Sequence, residues 1–160
     1  MLRKALHTIV VLLLVVVTIG WTKPASAQST RPTRCVIFLE PIQPGENSSK
    51  ASKPLCSTGK IDSVNGYSLT SSFLLLRFYA NYNYVTLIWE FYGAAACSPS
   101  ISYGSNYSST EPHSARSYSN CNKIHGYNYA NYGGQHVICG SNCPYLDVPG
   151  GLSSWRLTYN

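Results

Sequence analysis

The side chains that could do chemistry in this chain do not form a recognised catalytic arrangement. Three histidines follow the apolar N-terminus, His113, His125 and His136. The carboxylates are Glu40, Glu46, Asp62, Glu90, Glu111 and Asp147. No spacing links a nucleophile, a base and an orienting acid, and serine is so common that a Ser-His-Asp trio is expected by chance. A thiol nucleophile would need a cysteine outside the disulfides. We therefore expect no enzymatic activity.

Six cysteines form the second reactive group, and we predict that all of them pair. They lie after an apparent secretory signal, where an even count is typical of disulfides. Many pairings are open, and we predict the local set, Cys35–Cys56, Cys97–Cys121 and Cys139–Cys143. Zinc is the rival ligand, since His125 and His136 lie near the last pair. A secreted compartment oxidises thiols, however, and the histidine spacing fits no zinc motif.

The first 27 residues predict a cleaved signal peptide. Arg3 and Lys4 precede an apolar run over 9–19, and Ala25-Ser26-Ala27 provides a cleavage site after Ala27. A membrane anchor is the rival interpretation, but the run is short for a span. No later segment is apolar and long enough to cross a bilayer. We expect a secreted, extracellular protein without a membrane partner after cleavage.

The charge of the mature chain excludes a nucleic-acid partner. From Gln28 onward there are nine basic and six acidic side chains. No cluster of Lys and Arg forms a basic stripe, which a nucleic-acid surface needs.

The chain divides into a turn-rich N-terminal extension, 28–80, and a β-rich domain, 81–160. The extension contains a predicted strand, "CVIFLE", and a tight turn at Asn65-Gly66. The segment "FLLLRFY" is compatible with a short helix or a buried strand. From Tyr84 on, short apolar runs alternate with Gly, Ser, Asn and Pro, as in an all-β sandwich or barrel.

The domain contains an internal repeat at an offset of 40 positions. This offset aligns Trp89 with Tyr129, Tyr92-Gly93 with Tyr132-Gly133, Ser114 with Ser154 and Arg116 with Arg156. Several matches at one offset indicate a duplication, with units at about 84–120 and 121–160. Each unit is long enough for one four-stranded Greek key, and two units packed together could bury a core.

The second unit predicts a folded hairpin. Tyr127 and Tyr129 share a strand face, and Gly133 and Gly134 allow the chain to fold over sharply. "HVIC" is the next predicted strand, and "LSSWRLTY" is the last. A serine hydroxyl at the start of the last strand can bond the backbone of the folded hairpin.

These residues resemble the βγ-crystallin Greek-key signature. Tyr127, Tyr132 and Gly134 match its aromatic and glycine positions, and Ser153, Ser154 and Trp155 match its closing strand. The first unit is degraded, with Leu87 at the aromatic position and Ala94 at the glycine position. The resemblance implies two Greek keys packed as a βγ-crystallin-like sandwich, with 28–80 as a disulfide-bonded extension. More loosely, the chain is similar to secreted bacterial metalloproteinase inhibitors of this superfamily.

The resemblance also raises calcium binding, which the residues disfavour. The family's acidic or amide pair is replaced by Pro149-Gly150 in the second unit and by Ser109-Thr110 in the first. Calcium prefers several oxygens, some of them anionic. We therefore expect no metal site and no cofactor.

The expected function is binding, without turnover. The family resemblance favours an inhibitor of an extracellular proteinase, with 98–112 or 140–150 as the inhibitory loop. The alternative is a structural or cell-surface module that could bind calcium.

Overall fold

The computed structural model describes residues 33–106 and 111–159. The predicted signal peptide and the Ser109-Thr110 pair lie outside these ranges. All of the described residues belong to one compact unit. The described strands are β1 (Arg34–Leu39), β2 (Leu55–Ser57), β3 (Ser63–Val64), β4 (Tyr67–Ser68), β5 (Phe73–Tyr79), β6 (Leu87–Gly93), β7 (Tyr103–Asn106), β8 (Ser114–Ser117), β9 (Lys123–Tyr127), β10 (His136–Gly140), β11 (Asn142–Cys143) and β12 (Ser154–Thr158). The described chain otherwise has only 3-10 turns as helical structure, so the predicted all-β class is confirmed.

The strands form two main sheets and one small hairpin. The six-stranded sheet has the order β11-β8-β5-β6-β1-β2, and the four-stranded sheet has the order β10-β9-β12-β7. Strands β3 and β4 pair with each other. β5, β6 and β8 lie in the first sheet, but β7, which lies between β6 and β8 in sequence, joins the second sheet beside β12. β11 does the reverse and pairs with β8.

An aromatic cluster fills the space between the two sheets. Trp155, from the four-stranded sheet, is fully buried against Phe78 and Phe91 of the six-stranded sheet. Leu76 and Leu157 extend this cluster. Burying each such side chain contributes about 1.5–3 kcal/mol, so this layer is the main source of cohesion between the sheets.

The N-terminal extension belongs to the same sheet as the predicted domain. β1 pairs in parallel with β6 and antiparallel with β2. A second small core of Val36, Phe38, Ile61 and Val64 covers part of the outer face of this sheet. The predicted division at residue 80 therefore falls inside a continuous sheet. The predicted Asn65-Gly66 turn is confirmed, with φ of 47° and 86° between β3 and β4.

The three predicted disulfides are confirmed, Cys35–Cys56, Cys97–Cys121 and Cys139–Cys143. The first links the directly opposed residues of β1 and β2. The third links β10 of the four-stranded sheet to β11 of the six-stranded sheet. Disulfides persist in oxidising compartments such as the extracellular space. Among the residues that the structure describes, no helix has the length and apolarity to span a membrane.

The signature positions that the sequence assigned to the first unit, Leu87 and Ala94, do not lie on a folded hairpin. Residues Leu87–Gly93 form the extended strand β6. The folded hairpin lies earlier, where Tyr79 and Tyr84 have the same spacing as Tyr127 and Tyr132, 48 positions later. "FLLLRFY" is accordingly a strand, β5, and it is the counterpart of β9.

Candidate functional site

The hairpin of the second unit is built around its predicted tyrosines and glycine. Tyr127 lies on β9, and its ring contacts that of Tyr132 edge-on at 5.6 Å. Tyr132 closes a 3-10 turn with φ of 63°, and Gly134 follows with φ of 78°. A Cβ atom at Gly134 would overlap Oδ1 of Asn128, which accepts a hydrogen bond from the Gln135 N–H at 2.8 Å. Only glycine combines this φ with this close approach.

The closing strand locks this hairpin through Ser154. Its buried Oγ donates to the Tyr129 carbonyl at 2.7 Å and accepts from the Tyr132 N–H at 2.9 Å. The Ser153 N–H donates to the Tyr127 carbonyl at 2.8 Å. Trp155, on the opposite face of β12, points into the core. The serine contact predicted from the sequence is therefore present, and it is made by Ser154.

In the first unit, a serine of the closing strand makes the same two hydrogen bonds to the folded hairpin. The Ser114 Oγ donates to the Asn81 carbonyl at 2.6 Å and accepts from the Tyr84 N–H at 2.9 Å. Thr86, with φ of 62°, takes the place of Gly134. The turn Tyr82–Tyr84 thereby places Tyr82 at the surface, with 42% of its area exposed.

A second exposed tyrosine comes from the connection between β11 and β12. Along this connection Leu146 and Val148 are buried, while Tyr145 and Asp147 between them are exposed. This period-two alternation anchors the loop by its apolar side chains and directs its polar ones outward. The Cys139–Cys143 disulfide ties Cys143, the residue at which this connection begins, to β10.

These segments bring four side chains together, which we call the tyrosine surface: Tyr82, His113, Tyr145 and Asp147. The Tyr82 ring lies 5.4 Å from the Tyr145 ring and 5.1 Å from the His113 ring. The Tyr82 hydroxyl donates to Oδ1 of Asp147 at 2.9 Å. Nδ1 of His113 lies 3.9 Å from the same oxygen.

Backbone hydrogen bonds fix these segments relative to one another. The Asn83 N–H donates to the Pro144 carbonyl at 3.0 Å, and the Leu146 N–H donates to the His113 carbonyl at 2.9 Å. The tyrosine surface therefore rests on a rigid support although its side chains are exposed. Tyr145 is 59% exposed and the Asp147 side chain 62%.

Tyr82 is held in place as a hydrogen-bond donor. The hydrogen bond to Asp147 raises the pKa of Tyr82, and slight burial and the charges of Asp147 and Glu111 add to this shift. Two carboxylates at this site give it negative charge at neutral pH.

Sequence reasoning found one part of this site and missed the other. The predicted loop 140–150 supplies Tyr145 and Asp147. Of the predicted loop 98–112, Glu111 lies near Tyr82, and residues 107–110 lie outside the described ranges. Tyr82 was missed, but the spacing of Tyr79 and Tyr84 could have revealed its turn. Within the described residues, no three His, Cys, Asp or Glu side chains group as they would around a metal ion.

Comparison of the chain with protein-family models, with curated proteins and with solved structures finds no match.

Proposed function

We propose that this chain is a secreted, non-catalytic binding protein of βγ-crystallin type, and that the tyrosine surface is its contact with an extracellular proteinase. The observation that carries the proposal is the pairing of two exposed tyrosines, Tyr82 and Tyr145, on a hydrogen-bonded support that begins at the disulfide-bonded Cys143. In this proposal the protein inhibits the proteinase by occupying its surface and is not consumed.

Two features support the βγ-crystallin assignment. The third strand of each unit, β7 or β11, pairs in the sheet of the other unit, which is the exchange expected of two interlocked Greek keys. Each unit also folds its first hairpin onto a serine of its last strand, Ser114 or Ser154. A shared hydrogen-bond device in both halves is expected of a duplicated motif.

The restraint of the tyrosines supports binding. Tyrosine offers a large amphipathic contact area with little side-chain entropy to lose. Because the loop is anchored by Leu146 and Val148, little further backbone order is needed on association. Preorganisation of this kind lowers the entropic cost of binding.

The charge of the site indicates which part of a proteinase it would contact. Asp147 and Glu111 make this end of the molecule acidic, although the mature chain as a whole is basic. A lysine or arginine of the partner could stack on the tyrosine rings and pair with Asp147. We therefore expect a partner with a basic patch beside its substrate cleft.

The test is a titration of the protein secreted on expression of the full chain against a panel of extracellular metallo- and serine proteinases. A sharp end point near one inhibitor per enzyme is expected for at least one of them. The variant Tyr145→Ala should then weaken inhibition about tenfold or more, as truncation of a central interface tyrosine commonly does.

Tyr129→Ala is the matched control. Tyr129 is 65% exposed, lies on the hairpin of the second unit and is not one of the four side chains of the tyrosine surface. Its removal should leave inhibition unchanged. Equal loss in both variants would contradict the assignment of the surface. Full activity of every proteinase would reject the inhibitor function and favour the structural module.

A further inference from the structure

Two arginines oppose each other on the outer face of the six-stranded sheet. Arg77 of β5 and Arg116 of β8 are register partners in the antiparallel pair. Their neighbours Phe78 and Ala115 are buried in the core on the other face. Like charges directly opposite each other across a sheet are destabilising. A counter-charge is therefore needed at this point.

The chain supplies too few carboxylates for this face. Glu90 accepts from Arg77 through one oxygen, at 2.8 and 2.9 Å, and its other oxygen lies 2.9 Å from Arg34. Glu90 is thus shared by two guanidinium groups. All six acidic side chains lie in the described residues, and none of them forms an ion pair with Arg116.

Arg116 is held in place by an aromatic ring. Its guanidinium carbon lies 3.7 Å from the centre of the Tyr84 ring, which is a close cation–π contact. Within the described residues its Nε is buried and has no hydrogen-bond acceptor. The group is therefore oriented by stacking, and its Nε makes no hydrogen bond with those residues.

Two phenols complete the surroundings of the arginine pair. Arg77 lies 5.4 Å from the centre of the Tyr118 ring. Burial and then Tyr118 raise the pKa of Tyr79, and the charges of Arg77 and Arg116 oppose this rise. Tyr79 thus lies close enough to both guanidinium groups to feel their charges, and it hydrogen-bonds with Tyr118, which lies near Arg77. Each phenol carries one O–H donor and can also accept, so one hydroxyl of this pair has its O–H free for a ligand.

The second unit carries a weaker copy of this arrangement. Arg156 faces the Tyr132 ring at 6.0 Å, and His125 is its register partner on β9. Burial, followed by the charge of Arg156, lowers the pKa of His125. The copy therefore pairs an arginine with a histidine where the first unit pairs two arginines. This difference provides an internal control.

We propose that Arg77, Arg116 and Tyr118 form a binding site for a tetrahedral oxyanion, a sulfate or phosphate group. Guanidinium groups bind such anions through paired N–H donors, and two of them with a phenol can satisfy several oxygens at once. The ligand would be the free ion or the terminal sulfate or phosphate group of a larger molecule. The site is separate from the tyrosine surface in its residues and in the chemistry of its ligand.

The test is an amide NMR titration of the mature protein with sodium sulfate and with sodium phosphate, at ionic strength matched by chloride. Saturable shifts are expected at Arg77, Arg116 and Tyr118. Arg116→Gln should raise the Kd at least tenfold. The matched variant Arg156→Gln should leave it within twofold.

Two further arms make the result decisive. Arg116→Lys keeps the charge and the fold but loses paired donors, so it should also weaken binding. Methyl sulfate and methyl phosphate identify the source of the anion: binding within threefold of the inorganic ions supports a larger ligand, and binding of inorganic ions alone supports a free ion. Shifts that do not saturate, or that persist unchanged in Arg116→Gln, would overturn the proposal.

Discussion

Removal of the Ser154 hydroxyl should destabilise the protein strongly. The loss comes from broken hydrogen bonds, since only one oxygen atom is removed. The Oγ atom is fully buried and serves two backbone groups, the Tyr129 carbonyl and the Tyr132 N–H. Ser154→Ala leaves both without their partner. An unsatisfied buried polar group costs about 1–3 kcal/mol. Since the edge of the hairpin is partly exposed to water, we expect a total loss of about 2–4 kcal/mol.

This loss is large relative to the stability of a small domain. Folded domains are stable by about 5–15 kcal/mol, and 1 kcal/mol shifts the Tm of a domain of this size by about 3 °C. The melting temperature should therefore fall by about 6–12 °C. Calorimetry and urea unfolding with the disulfides intact measure both quantities.

Ser153→Ala is the control for this prediction. The Ser153 hydroxyl forms no hydrogen bond with a described residue, and its backbone N–H, which binds the Tyr127 carbonyl, survives the substitution. This variant should stay within about 0.5 kcal/mol of the parent protein. Ser114→Ala should match Ser154→Ala, because its hydroxyl makes the same two contacts in the first unit. A Ser154→Ala protein as stable as Ser153→Ala would refute the view that these hydroxyls hold the hairpins.

Further predictions concern the second hairpin, the shared carboxylate, the half-buried His125 and calcium. Gly134→Ala should lower the free energy of unfolding in urea by more than about 1 kcal/mol, because alanine would have to adopt a left-handed φ and its Cβ would overlap Asn128. Glu90→Gln should lower stability by about 2 kcal/mol, since two half-exposed arginines lose their shared charge; unchanged stability in low salt would contradict this. Because the folded state lowers the pKa of His125, unfolding takes up a proton, so stability should fall as the pH drops below about 6.5. His125→Gln should flatten that part of a pH–stability curve. The melting temperature should be the same in calcium and in chelator, since Pro149 and Gly150 offer only carbonyl oxygens; a rise with calcium would restore the calcium-binding module.

The internal repeat could be predicted from the sequence at the closing strands but not at the hairpins. An offset of 40 correctly paired Ser114 with Ser154, because both begin the closing strand of a unit. The hairpins, however, correspond at an offset of 48, as Tyr79 and Tyr127 do. The segment between hairpin and closing strand is longer in the first unit, so no single offset aligns both ends. With Thr86 in place of a glycine, the first hairpin also lacked the residue that marks the second.

Local chemistry determined much of this protein from the sequence alone. The β-rich class, the Asn65-Gly66 turn, the turn of the second hairpin and the Cys139–Cys143 pair depend on residues close together in the chain, where steric and conformational preferences act directly. The tertiary structure alone decided which strands share a sheet. The parallel pairing of β1 with β6, the crossing of β7 and β11 between sheets, and the meeting of Tyr82 with Tyr145 all depend on contacts between distant segments. Such contacts are set by the collective burial of apolar surface. Because this driving force is non-directional, the sequence of one strand does not determine which distant strand it pairs with.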